Sequence, residues 1–396
     1  MRADAEMRLI PVREAGDVRM GKQLSPASRE AAGQFPYLRV ANVYEGRIDL
    51  SDVKSMGFSR AEREVYGVSP GDILLNEGQE NLMMVGRSAL YQGDPGVYCF
   101  QNTLIRFRPG SNVVPEYAQA VFVRWRARGV FAGIAEKTSI SHLGGNRFGS
   151  LLFPLRPLRE QQRIVDIIGA VSAQERAIGT SIAKLKSVME GALSAILDGF
   201  VWDDTLADAS DGAIRNGFSP VESEVWTGVQ MLGLGCLTST GFEPAQLKNA
   251  PSFVAAEHAA MLRDGDLLMS RANTRQLVGL AGVYRDVGSP CIYPDLMMRI
   301  RPSKRCSVDF LAAVLMSPRA RRYIRSMAQG TSESMVKISS SAVRRIPVPL
   351  PSLEEQARVL ATVSSLSRQV DAGIEELAKL QALKLGLVDD LLLGEA

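Results

Sequence analysis

Two stretches of the chain carry apolar residues at helical spacing over unusual lengths. In the first, Ile164, Ile168, Val171, Ile178, Ile182, Leu185, Val188, Ala192 and Ile196 recur at intervals of 3, 4 or 7. In the second the series is Val359, Val363, Leu366, Val370, Ile374, Leu377, Leu380, Leu383, Leu387 and Leu391. Such stripes predict long amphipathic helices that pack on another helix. Pro157 and Pro351 stand at their starts, and Gly199 and Gly394 stand where a C-terminal cap belongs. Roughly 38 residues at about 1.5 Å each make a rod on the order of 55 Å long. The nearest partner for each rod is the other one.

The two stripes belong to a duplication. Residues 154–199 align with 349–394 without a gap, and 15 of the 46 positions are identical. Among them are Pro154/Pro349, Glu160/Glu355, Gln161/Gln356, Arg163/Arg358, Lys184/Lys379 and Gly199/Gly394. The segments upstream repeat as well. GDILLNEGQEN at Gly71–Asn81 matches GDLLMSRANTR at Gly265–Arg275, and QNTLIRFRPG at Gln101–Gly110 matches PDLMMRIRPS at Pro294–Ser303. KTSISHLGG at Lys137–Gly145 matches SESMVKISSS at Ser332–Ser341. The chain thus divides into residues 1–156, a helix at 157–199, residues 200–350 and a helix at 351–396. A repeated unit of this kind predicts internal two-fold symmetry, and a two-fold molecule suits a two-fold partner.

Within each large segment the texture is short strands bounded by Gly and Pro. Ile73–Leu75, Thr103–Phe107, Leu267–Met269 and Met297–Ile300 are expected strands, and the Gly71-Asp72 before the first is an expected turn. Helices are expected at Pro115–Arg128 and Val308–Gln329. No βαβ rhythm is present, so the fold class is α+β.

Composition narrows the function. A hydrophobic content of 46% is enough for a packed core. No apolar run reaches the roughly 18 residues of a membrane span, and no apolar stretch follows the first charges as in a signal peptide, so a cytoplasmic protein is expected. Cys99, Cys236, Cys291 and Cys306 form no C-x-x-C pair, and with only His142 and His258 beside them no metal site is expected. The net charge is +3, yet residues 351–396 hold four basic and eight acidic side chains. The positive excess therefore sits outside the helices, as a polyanion-binding surface requires.

Catalytic motifs are missing. Gly16–Lys22 spells G-x-x-x-x-G-K, but Gln23 stands where a P-loop needs Ser or Thr, and no apolar strand precedes it. Nucleophile elbows, zinc-protease motifs and the N-P-P-[YF] of amino-methyltransferases are absent. A chain of this length without them is expected to recognise rather than to react. The candidate readers are polar loops at matching places in the two repeats. In the first repeat they are Asn76, Gln79, Asn81, Lys137, Thr138 and Ser139. In the second they are Ser270, Arg271, Asn273, Arg275, Thr331, Ser332 and Lys337. His142 reads either as a DNA contact or as a solvated capping residue. The basic clusters Arg124-Arg126-Arg128 and Arg319-Arg321-Arg322-Arg325 read either as phosphate contacts or as solvated helix faces.

Domain, long helix, domain, long helix resembles the layout of the specificity subunit of Type I restriction-modification systems. PLRPLREQQRIV and PLPSLEEQARVL are similar to that family's L-P-x-x-E-Q-x-x-I, and GALSAILDG and LGLVDDLLLG to its helix terminus. GDILL and GDLLM resemble a strand of its target-recognition domains. The resemblance implies two such domains related by pseudo-two-fold symmetry, joined by two antiparallel helices that form a coiled-coil spacer. Each domain would read half of a bipartite DNA site, and the chain itself would catalyse nothing and bind no cofactor. The resemblance implies two methyltransferase subunits carrying S-adenosylmethionine as partners, with restriction subunits using ATP and Mg as further ones. A coiled-coil scaffold, or a DNA-binding component of another defence system, is the alternative. The family pattern is broken at Arg156-Pro157, and Gly169 and Gly179 each weaken the first helix by about 1 kcal/mol relative to alanine.

Overall fold

The computed structural model describes residues 7–31, 33–136, 141–255, 257–332 and 335–393. Each apolar stripe is one continuous helix, Leu158–Asp198 and Leu353–Leu393. The chain divides into two compact units, Met1–Ile178 with Glu376–Ala396, and Gly179–Glu375. Each unit therefore holds half of each long helix.

In the first unit the central sheet is antiparallel and four-stranded, in the order Gly16–Met20, Leu104–Pro109, Ile73–Asn76, Ser88–Leu90. Ile105 lies opposite Leu75, and Phe107 opposite Ile73. These four side chains enter one core with Tyr117, Val121 and Phe122 of the helix Pro115–Ala127. Leu74 and Leu104 enter a second core on the other face. Burial on both faces explains why Ile73–Leu75 is an uninterrupted apolar run, while Leu104–Pro109 is apolar but for Arg106 and Arg108. The P-loop look-alike lies in this sheet, where Gly21 and Lys22 donate their amides to the carbonyls of Leu104 and Phe100. Cys99–Phe100 joins a second sheet, parallel to Gln34–Leu38, which pairs antiparallel with Lys54–Gly57.

The second unit repeats the plan. Its four strands run Arg215–Asn216, Met297–Ile300, Leu267–Ser270, Ala281–Val283. Leu267, Met269, Met298 and Ile300 enter one core, and Leu268 and Met297 another. Gln230–Leu232 takes the place of Gln34–Leu38, again parallel to a cysteine-bearing strand, Cys291–Ile292. These two parallel pairs were not foreseen from the sequence. The single helix expected over Val308–Gln329 is in fact two, Val308–Met316 and Pro318–Met327. Pro318 has no amide hydrogen to continue the first helix, and Ser317 Oγ caps the second by accepting from the amide of Ala320.

The long helices run antiparallel within each unit. In the first, Ile164 shares a core with Leu392, while further along Glu175 pairs with Lys384 at 2.7 Å. In the second, Leu197 shares a core with Val359, and Gly373 faces Ile182. A methyl group on Gly373 would lie 3.0 Å from Ile182 Cγ1, so glycine there permits a close helix approach. Gly169 and Gly179 do not interrupt the first helix.

One glycine in each unit holds the turn after the central strand. Gly86 and Gly279 both have φ of +74°. Their amides donate to the carbonyls of Asn76 and Ser270, and a Cβ would run into the Phe131 ring and into Ile324. Gly86→Ala is expected to destabilise the fold by about 2–4 kcal/mol, from the left-handed backbone and the overlap together. Thermal unfolding of the variant checks this.

Candidate nucleic-acid interface

The motif at each helix start is a clamp. Gln161 is fully buried in the first turn of its helix. Its Oε1 accepts from the amide of Val114 at 2.7 Å, and its Nε2 donates to the carbonyls of Asn112 and Arg156 at 2.9 and 2.7 Å. Gln356, also fully buried, does the same in the second unit. Its Oε1 accepts from Ser307, and its Nε2 donates to Arg305 and Pro351, all within 2.8–2.9 Å. An amide is the one side-chain type that offers both halves of this pattern without charge. Each long helix is thereby fixed to the loop that starts the domain helix beside it.

A buried arginine braces each central sheet. Arg106 donates to the carbonyls of Val65 and Gly67 and pairs with Asp17, with its guanidinium over the Phe100 ring. Arg299 donates to Met261 and Ala259, pairs with Asp266 and lies over Tyr293. These cations are internal and lie off the surface.

The expected reading loops come together within each unit. In the first, Gly78–Gln79 pairs with Ser141–His142, so Gln79 lies opposite Ser141, in the segment that follows Lys137, Thr138 and Ser139. Those last three lie outside the described residues. Asn81 is exposed and its side chain accepts from the amide of Met83, while Gln79 is half-buried. In the second unit, Ala272–Asn273, Met335–Lys337 and Gln329–Ser332 form one small sheet. It unites Asn273, Lys337 and the backbone of Thr331 and Ser332, with Arg271 just before it.

Two of the expected contacts are corrected. Asn76 and Ser270 are buried as the fourth residues of their strands, with no surface to offer a ligand. Arg275 donates to the carbonyls of Arg325 and Ala328 at the end of the helix Pro318–Met327. The helix-borne clusters are also partly internal. Arg321 is buried and donates to Val278 and Gln276, and burial lowers its guanidinium to about 10. Arg124 pairs with Asp389 of the second long helix.

The sequence reading missed a second group beside the first loop. Tyr44, 40% exposed on a hairpin tip, has two guanidiniums over its ring, Arg47 at 4.9 Å and Arg87 at 5.4 Å from the centroid. Below it Glu45 pairs with Arg126, whose Nη1 also donates to the carbonyl of Met83. Burial pushes the Glu45 carboxyl above its usual range despite that partner. Aromatic and arginine together suit a nucleic acid, through stacking and phosphate contacts. The cysteines offer no reactive thiolate, since burial pushes Cys99 and Cys291 up to about 12 and Cys306 up to about 11.

No protein-family model matches the chain. It is 23% identical over 360 residues to the Type I restriction enzyme EcoKI specificity subunit of Escherichia coli, covering 85% of this chain and 76% of that one. It is 21% identical over 392 residues to the MjaVIII specificity subunit of Methanocaldococcus jannaschii, covering 92% and 87%. Among solved structures, a chain from work on complex assembly and conformational transition of the type I R-M system superposes with a TM-score of 0.67, at 19% identity, covering 99% of this chain and 98% of that one. The chain has the specificity-subunit fold. The HsdS subunit of Thermoanaerobacter tengcongensis matches over 100% of this chain and 99% of its own, with a TM-score of 0.52 at 18% identity. The likeness in fold extends over nearly the whole length, both domains and both helices included. Among the described residues no helix is long and apolar enough to cross a membrane.

Proposed function

We propose that this chain is the DNA-specificity subunit of a Type I restriction-modification complex, in which each repeated domain reads one half of a bipartite site. One observation carries the reading. Two units of the same topology, each clamped to a long helix by the same buried glutamine, carry different side chains at matching edges. A shared scaffold with divergent edges is what two readers of different sequences require. The chain supplies recognition and not reaction. Two methyltransferase subunits dock on it and bring S-adenosylmethionine, and restriction subunits bring ATP and Mg. The reading edges comprise Gln79 and Asn81 in the first unit, and Arg271, Asn273 and Lys337 in the second. Thr331 and Ser332, and Lys137–Ser139, extend them. The shared helices set the separation of the half-sites.

The test is to express the chain with a methyltransferase subunit and map the methylated adenines. A bipartite, asymmetric motif with a fixed unspecified gap is expected. A single uninterrupted motif, or methylation independent of this chain, would sink the reading.

A further inference from the structure

A short hairpin in the first unit gathers two cations onto one ring. Val43–Tyr44 pairs antiparallel with Arg47–Ile48, so Tyr44 stands opposite Arg47. At the tip the amide of Gly46 donates to the carbonyl of Ser88. That bond seats the hairpin beside Arg87, which is how a residue distant in sequence reaches the Tyr44 ring. Tyr44 and Arg47 are exposed, and Arg87 is half-buried.

These guanidiniums differ from the internal ones. Arg106, Arg299 and Arg321 direct their N–H groups to backbone carbonyls. Among the described residues the Arg47 guanidinium makes no hydrogen bond, and the Asp49 carboxylate lies 3.7 Å from it, beyond bonding reach. Arg87 donates to Met84 Sδ, a weak acceptor. The neighbouring Glu45 is paired with Arg126. An aromatic ring attracts a guanidinium without accepting its in-plane N–H groups, so both cations are held in place with donors to offer. A guanidinium fork of this kind matches the oxygens of a phosphate. The group also adjoins the first reading edge, because Arg126 ties Glu45 to the carbonyl of Met83, two residues past Asn81.

The second unit keeps the hairpin and lacks the cations. Leu237–Thr238 pairs with Gly241–Phe242, which puts Thr238 in the place of Tyr44 and Gly241 in the place of Arg47. Gly279 matches Gly86 in the turn after the central strand, so Leu280, buried, stands where Arg87 does. The Thr238 hydroxyl is engaged by Glu243.

We propose that Arg47 and Arg87, gathered at Tyr44, grip DNA backbone phosphates beside the half-site read by the first domain, a hold that the second domain does not make through its own hairpin. The proposal rests on the DNA-reading function above.

The test uses the full chain assembled with its methyltransferase subunits and a duplex bearing the mapped motif. Each phosphate contact adds about 0.9 to the steepness with which log affinity falls on log salt. The double variant Arg47→Ala with Arg87→Ala is expected to be shallower by about 1.8, so that a fourfold rise in salt costs it about 12-fold less affinity than it costs the wild type. Arg47→Lys with Arg87→Lys restores the charge and most of the steepness. The methylated motif stays the same in both, since phosphate contacts carry no base information, and its retention shows that the alanine variant is folded. Neutral methylphosphonate linkages placed singly along the duplex locate the contact. Those that weaken the wild type and no longer matter to the alanine variant are expected at or beside one half-site alone. With the wild-type motif mapped, an unchanged salt dependence in the alanine variant, an altered motif, or silenced linkages at both half-sites overturns the proposal alone. A wild-type complex with no bipartite motif overturns the DNA-reading function, and this proposal with it.

Discussion

Four residues inserted into each long helix, at points paired across the antiparallel contact, are expected to move methylation to a new motif with the same two half-sites set further apart. Four residues add about 6 Å of helix, which matches about two base pairs at 3.4 Å each. Both helices must be lengthened together. The close seat of Gly373 on Ile182 and the pair between Glu175 and Lys384 fix their register, and lengthening one alone would break it. Methylated-motif mapping reads the result directly. Loss of the original motif with gain of the longer one supports a spacer role for the helices. The original motif retained at full occupancy would show that the gap is set elsewhere.

That prediction draws on the most legible part of the chain. A stripe maintained over nine apolar positions in the first helix outweighs Gly169 and Gly179, because the packing along it exceeds the roughly 1 kcal/mol each glycine costs. Short central strands were legible for a related reason, since burial on both faces leaves an apolar run that turn residues bracket. The reading loops were only half legible. Asn76 and Ser270 look like the polar start of a loop, yet each is the last residue of its strand and buried with it. Arg275 and Arg321 look like phosphate contacts, yet each donates to backbone carbonyls. Composition does not distinguish a cation that meets solvent from one that braces a turn. The grouping of Tyr44, Arg47 and Arg87 was invisible because it joins a hairpin to a distant turn. The break at Pro318 was visible in principle, since proline within an expected helix marks a boundary.

The glutamine clamps carry the largest expected effect on stability. In the sequence Gln161 and Gln356 are an identity of the repeat, and nothing there shows that a polar residue in a first helical turn is fully buried. Gln161→Leu keeps nearly the same volume but leaves the Val114 amide and the carbonyls of Asn112 and Arg156 without that partner. A buried group left unmet costs about 1–3 kcal/mol, and less where water reaches it, as at the exposed Asn112, so a loss of about 2–4 kcal/mol is expected. Gln161→Glu should be at least as damaging, because a carboxylate cannot donate to two carbonyls and a buried charge there has no cation. The effect should be local to the unit. Hydrogen exchange is expected to show faster exchange of the Val114 amide in Gln161→Leu and of the Ser307 amide in Gln356→Leu, each leaving the other protected. The two glutamines share no partner, so the double variant is expected to lose about the sum of the single losses. A Gln161→Leu protein with unchanged unfolding temperature and a protected Val114 amide would show that apolar packing alone holds the helix to its domain. The repeated glutamine would then need another explanation.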